Sequence, residues 1–123
     1  MDSSNTGFMP LSQKRPDITV VQAVQWQLRN HDGFVHSFLS SIRFAPITAQ
    51  QENWRRLKAA RDDEVLLITG TRDPIIFPSE VREDAEELLG KDRVVFVELD
   101  STHDFPITDS RDVVSAIFMF WKS

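Results

Sequence analysis

Two residues carry the strongest chemical signal in the sequence. Asp73 lies in Gly70-Thr71-Arg72-Asp73-Pro74, and His103 lies in Asp100-Ser101-Thr102-His103-Asp104-Phe105-Pro106. Each segment directly follows a short apolar run. A carboxylate held against an imidazole is the orienting pair of a nucleophilic relay. It fixes the ring tautomer and stabilises the imidazolium formed when the ring takes a proton. Plainer readings stand beside this one. Asp before Pro initiates turns, and a loop histidine is commonly a surface residue. Asp104 reads rather as a loop carboxylate, and Phe105 as a side chain that packs the loop.

The elements around these loops decide whether the pair can meet. EVLLITG (64–70) is a short apolar run ending in Gly, a buried strand by composition. Pro78, Ser79 and Glu80 open a helix with Val81, Ala85, Leu88 and Leu89 facing inward and Gly90 as its stop. RVVFVEL (93–99) is a second buried strand, and Ser110 is a candidate cap for a last helix through DVVSAIFMFW. Strand, helix, strand, helix with continuous apolar strands predicts an α/β fold containing a parallel βαβ unit, whose crossover is right-handed as a rule. Loops beyond the C-terminal ends of parallel strands emerge at one sheet edge. The separation of Asp73 and His103, 103 − 73 = 30, is what one such crossover requires.

That unit leaves surface uncovered. Parallel sheets are normally covered on both faces and have several strands, and only two are clear here. The strand at 64–69 has an unpaired edge, and Phe118, Met119, Phe120 and Trp121 cannot all face two strands. The pattern is that of the end of a larger sheet, with FMFW as sheet-covering core.

Upstream, residues 1–18 are mixed and polar with two prolines, which predicts a loose arm. Val20, Val21, Val24 and Leu28 favour a helix within 18–28, although the β-branched run also suits a strand. Phe34, Val35, Phe38, Leu39 and Ile42 form a helical stripe that must end before Pro46. Thr48 and Gln51 have capping-box spacing for the next helix, with Trp54 and Leu57 inward. Its Arg55, Arg56, Lys58 and Arg61 suggest either a phosphate patch or, the preferred reading, a solvated face. His31 and His36 fall about 140° apart around a helix and do not converge on a metal. Ser37, Ser40 and Ser41 sit on no strand-to-helix turn, so none is a good nucleophile candidate.

Composition narrows the classes further. The chain has 123 residues, with 14 Lys+Arg against 19 Asp+Glu, a net charge of −5. That balance disfavours nucleic acid as a partner, because phosphate binding needs cations to replace counterions. The absence of cysteine removes disulfides, thiolate zinc sites and a cysteine nucleophile. No run approaches the roughly 20 apolar residues of a membrane span. MDSSNTGFMP lacks the basic start and apolar core of a secretory signal. The expectation is a cytoplasmic protein without a membrane partner.

Against this background, LLITGTRDPIIFPSE, VVFVELDSTHDFPIT and the amphipathic terminal helix resemble the C-terminal part of the α/β-hydrolase superfamily. GFVHSFLSSIRFAPI and ENWRRL resemble helices that follow the cap in its fungal, serine-aminopeptidase-like and lipase-like members. The resemblance spans residues 30–122 and only the later part of the family fold. It implies an arm or cap remnant at 1–31 and a partial α/β-hydrolase domain at 32–123. It further implies hydrolysis of a small-molecule or peptide acyl substrate by a Ser-His-Asp relay, with His103 as general base and Asp73 as its orienter. No cofactor is implied.

Two departures qualify the match. The family nucleophile sits in G-x-S-x-G on a strand-to-helix turn, and that pattern occurs nowhere in this sequence: Gly33 is followed by Phe34, Val35, His36 and Ser37. The residue before the family histidine is often Gly, and here it is Thr102. The resulting expectation is a C-terminal portion of a hydrolase, from a shortened gene product or an incomplete gene model, inactive alone. The alternative is a non-catalytic interaction module whose exposed sheet edge docks a complementary hydrolase half or a second copy of itself.

Overall fold

In the computed structural model, which describes residues 8–45 and 49–123, the chain begins with two short antiparallel strands, β1 (Pro10–Ser12) and β2 (Arg15–Thr19). They take the place of the expected loose arm over residues 10–12 and 15–18. Pro10 pairs with Thr19 and Ser12 with Arg15, with an irregular register between. Pro16 is tolerated because each strand of a two-stranded ribbon keeps one free edge, where a missing N–H costs nothing.

Helix α1 (Val20–Asn30) follows at once, where the apolar stripe was ambiguous. A capping box decides the start: Gln22 N–H donates to Thr19 Oγ1 (3.2 Å) and Thr19 N–H donates to Gln22 Oε1 (2.9 Å). Helix α2 (Phe34–Phe44) carries the expected stripe, with the Phe34 and Phe38 rings stacked at 6.0 Å. It stops at Ala45, whose backbone is extended (ψ 143°), as a residue before proline requires. Helix α3 (Gln51–Ala60) is capped by Gln50 without a side-chain cap bond. Thr48, the expected cap, lies outside the described residues.

Strand β3 (Val65–Gly70), helix α4 (Pro78–Leu89) and strand β4 (Val94–Leu99) form the expected unit. β3 and β4 pair in parallel without a slip, from Val65 opposite Val94 to Gly70 opposite Leu99. Alternation along the strands places Leu66, Val95 and Val97 on the face lined by the last helix, with Phe96 and Glu98 on the other. There Arg82 of α4 stacks over the Phe96 ring (4.5 Å) and meets Glu98 (3.7 Å). The sheet therefore has a helix on each face. α4 also packs against α3 and buries Ala85 and Leu89 completely.

Arg93, expected as the first residue of the second strand, instead lies in a 3₁₀ turn (Lys91–Arg93). Its guanidinium donates to the carbonyls of Lys58, Arg61 and Asp63, tying the end of α3 to the start of β4. A short helix α5 (Phe105–Thr108), unforeseen in the sequence, precedes α6 (Ser110–Lys122). Asp109, rather than Ser110, is the residue at the N-cap of α6. None of the described helices is long and apolar enough to cross a membrane.

Candidate active site

The β3 and β4 ends are held together by backbone. Thr71 N–H donates to Leu99 O (2.8 Å) and Arg72 N–H to Ser101 O (2.9 Å), so the strand pairing continues into the loops. Gly70 makes this approach possible. A Cβ there would lie 2.6 Å from Ser101 O and 2.8 Å from Thr102 O, inside van der Waals contact with backbone that cannot swing away. Arg72 adds a side-chain tie, with Nε on Asp100 Oδ1 (3.0 Å) and Nη2 on Asp100 O (3.0 Å). Asp100 is largely exposed, and exposed ion pairs contribute about 0–1 kcal/mol. The backbone bonds and the glycine contact dominate.

This framework brings together the two residues singled out in the sequence. His103 Nδ1–H donates to Asp73 Oδ2 at 2.9 Å. The direction follows from chemistry: an ionised carboxylate only accepts, so the ring nitrogen facing it must carry the proton. The Asp73 side chain is 3% exposed and that of His103 is 42% exposed. The acid is hidden behind the base, which reaches solvent.

Asp73 is also the turn residue that the Asp-Pro step suggests. Its Oδ1 accepts the backbone N–H groups of Ile75 (2.8 Å) and Ile76 (3.0 Å). Burial alone would raise the Asp73 carboxyl pKa. The N–H groups of Ile76 and Ile75, with the His103 hydrogen bond and charge, outweigh it and hold the group below its ordinary value. Asp73 is therefore a carboxylate at neutral pH, as an orienting group must be.

A second cluster flanks His103 along the chain and has no periodic signature in the sequence. Ser101 and Thr108 are buried, and both hydroxyls donate to Asp109 Oδ2, Thr108 at 2.7 Å. Thr102, which precedes His103, is also buried, and its Oγ1 has no hydrogen-bond partner among the described residues. Asp104 supplies backbone acceptors for Ile107 and Thr108, and Phe105 is half-buried at the start of α5.

The remaining candidates do not join this site. Ser37, Ser40 and Ser41 lie on α2, and none hydrogen-bonds His103. His31 and His36 are exposed, and no group of residues suited to hold a metal occurs among the described residues. Arg55 and Arg56 pair with Glu52, and Arg61 with Asp63, on a solvated helix surface. A cavity of about 750 Å³ lies between the β1–β2 ribbon and α1, lined by Leu11, Arg15, Ile18 and Trp26, and includes neither Asp73 nor His103.

The arrangement can do one half of acyl-transfer chemistry. It can accept a proton at the second imidazole nitrogen and stabilise the resulting cation, given a nucleophile placed against that nitrogen. No family model, curated protein or solved structure matches the chain.

Proposed function

We propose that this chain supplies the acid and base of a serine hydrolase of the α/β-hydrolase type, acting on a small-molecule or peptide acyl substrate. The nucleophile comes from residues outside this sequence. The observation that carries the reading is the 2.9 Å bond between buried Asp73 and solvent-reaching His103, at the ends of two adjacent parallel strands. With Nδ1 bound to Asp73, Nε2 of the neutral ring is a lone-pair base. It would take the proton of a serine hydroxyl as that oxygen attacks an acyl carbon, and return it to the leaving group. The sequence holds no G-x-S-x-G, so the chain alone is expected not to turn over acyl esters.

The test is to treat native cell extract with a fluorophosphonate probe and capture the endogenous polypeptide that ends in DVVSAIFMFWKS. Labelling of that polypeptide, or of a chain bound to it, at a serine outside this sequence is expected, with loss of labelling in His103→Ala. An unlabelled wild-type polypeptide contradicts the reading. It favours instead a non-catalytic docking module, a role supported by the exposed apolar residues of α6, of which Met119 and Trp121 are more than 70% exposed.

A further inference from the structure

The segment that carries His103 leaves β4 at Asp100 and reaches α6 through the single turn of α5. Within it His103 is exposed, yet the residues on either side of its base are among the most buried in the chain: Ser101 is 1% exposed and Thr108 8%. The contact that joins these two ends is made by side chains. Ser101 Oγ and Thr108 Oγ1 converge on a single oxygen of Asp109, and the Asp109 N–H donates to Phe105 O (2.9 Å). Thr108 has one hydroxyl proton, and the 2.7 Å contact with a carboxylate outcompetes the 3.2 Å contact with Asp104 O. Asp109 O in turn accepts from Asp112 and Val113, the first turn of α6. Asp109 therefore links the end of β4, the α5 turn and the start of α6.

We propose that Asp109 is a positioning residue for His103. Its carboxylate closes residues 101–109 into a clasp that holds the imidazole against Asp73. The clasp spans 109 − 101 = 8 residues, and His103 lies two residues from one of its anchors. Asp73 and His103 meet through only one hydrogen bond, so a small drift of the loop breaks it. Buried hydroxyls also need a partner, and loss of the Asp109 carboxylate leaves Ser101 Oγ without its acceptor and Thr108 Oγ1 with only the longer contact to Asp104 O. The catalytic meaning of this role rests on the proposed function; its effect on the imidazole does not.

The test is long-range ¹⁵N–¹H NMR of the full chain, which reads the tautomer of His103 and the exchange of its Nδ1 proton. Wild type is expected to show His103 protonated at Nδ1 with a slowly exchanging proton. Asp109→Ala is expected to lose that proton signal and shift the ring to a tautomer mixture. Asp109→Asn, which keeps one acceptor oxygen, is expected to restore part of it. Trp54→Ala, which loosens α3 far from the loop, is expected to leave it unchanged, as a merely destabilised chain would not change the ring alone. A folded Asp109→Ala chain with the wild-type His103 signal overturns the proposal. If Asp109→Ala does not fold, Ser101→Ala decides, and an unchanged His103 signal there overturns it as well. Failure of the hydrolase reading has a different mark: no fluorophosphonate labelling of the native polypeptide, with the Asp109 effect on His103 intact.

Discussion

The two oxygens of the Asp73 carboxylate divide the work of the site. Oδ1 holds the turn through Ile75 and Ile76, and Oδ2 holds His103. Asp73→Asn separates the two tasks. The amide oxygen can keep the turn, but the amide nitrogen then points a donor at Nδ1. The ring must answer with a lone pair, moving its proton to Nε2, the tautomer that cannot act as base. The expected outcome is a folded chain and, under the proposed function, an activity loss of about 10⁴-fold, the size of the same change in a well-studied Ser-His-Asp protease. Retained activity contradicts the role. The charge also predicts an acid response. Because the folded-state pKa of Asp73 is depressed, the unfolded chain binds its proton first as pH falls. The stabilisation is complete above the unfolded value of about 3.9 and is lost as pH falls through the folded value below it. Denaturation of wild type and Asp73→Asn should therefore differ by a constant amount at neutral pH, and the difference should shrink in acid. A gap that persists unchanged to low pH contradicts this.

At the scale of elements, Gly70 sets how closely the two loops approach. Gly70→Ala places a methyl against the carbonyls of Ser101 and Thr102, an overpacking that costs about 1–3 kcal/mol. A lower urea midpoint and a weakened His103 Nδ1–H signal are expected together; an unchanged midpoint would show that the loops are not held at this distance. The β3-α4-β4 unit was legible because its signals are local: continuous apolar runs, Pro78 at the helix start and Gly90 at its end. The meeting of Asp73 and His103 was legible because it follows from topology. The β1–β2 ribbon was not, since Leu11 and Ile18 are its only strongly apolar members and its pairing is made by backbone. The Ser101–Asp109 clasp has no periodicity to betray it. Arg93 looked like a strand residue beside Val94, yet its guanidinium is drawn to the open carbonyls at the end of α3. The Thr19–Gln22 capping box, by contrast, has a spacing that can be read from the sequence.

The whole molecule has little apolar interior. Among the described residues only Ala85 and Leu89 are buried apolar side chains, while α2 exposes Phe38, Leu39 and Phe44, and α6 exposes Val114, Phe118, Met119 and Trp121. Apolar faces of this extent favour association. The purified chain is expected to sediment as concentration-dependent oligomers, and a monomer at every concentration would contradict that expectation. The pair that the β3 and β4 ends bring together is the centre of the molecule's chemistry, so the most direct measurement is the tautomer of His103 in the wild-type chain by ¹⁵N NMR with the ring neutral. A proton fixed on Nδ1, lost in Asp73→Ala, is the expected result. A ring that carries its proton on Nε2, or averages freely between the two nitrogens, would contradict the account at its centre.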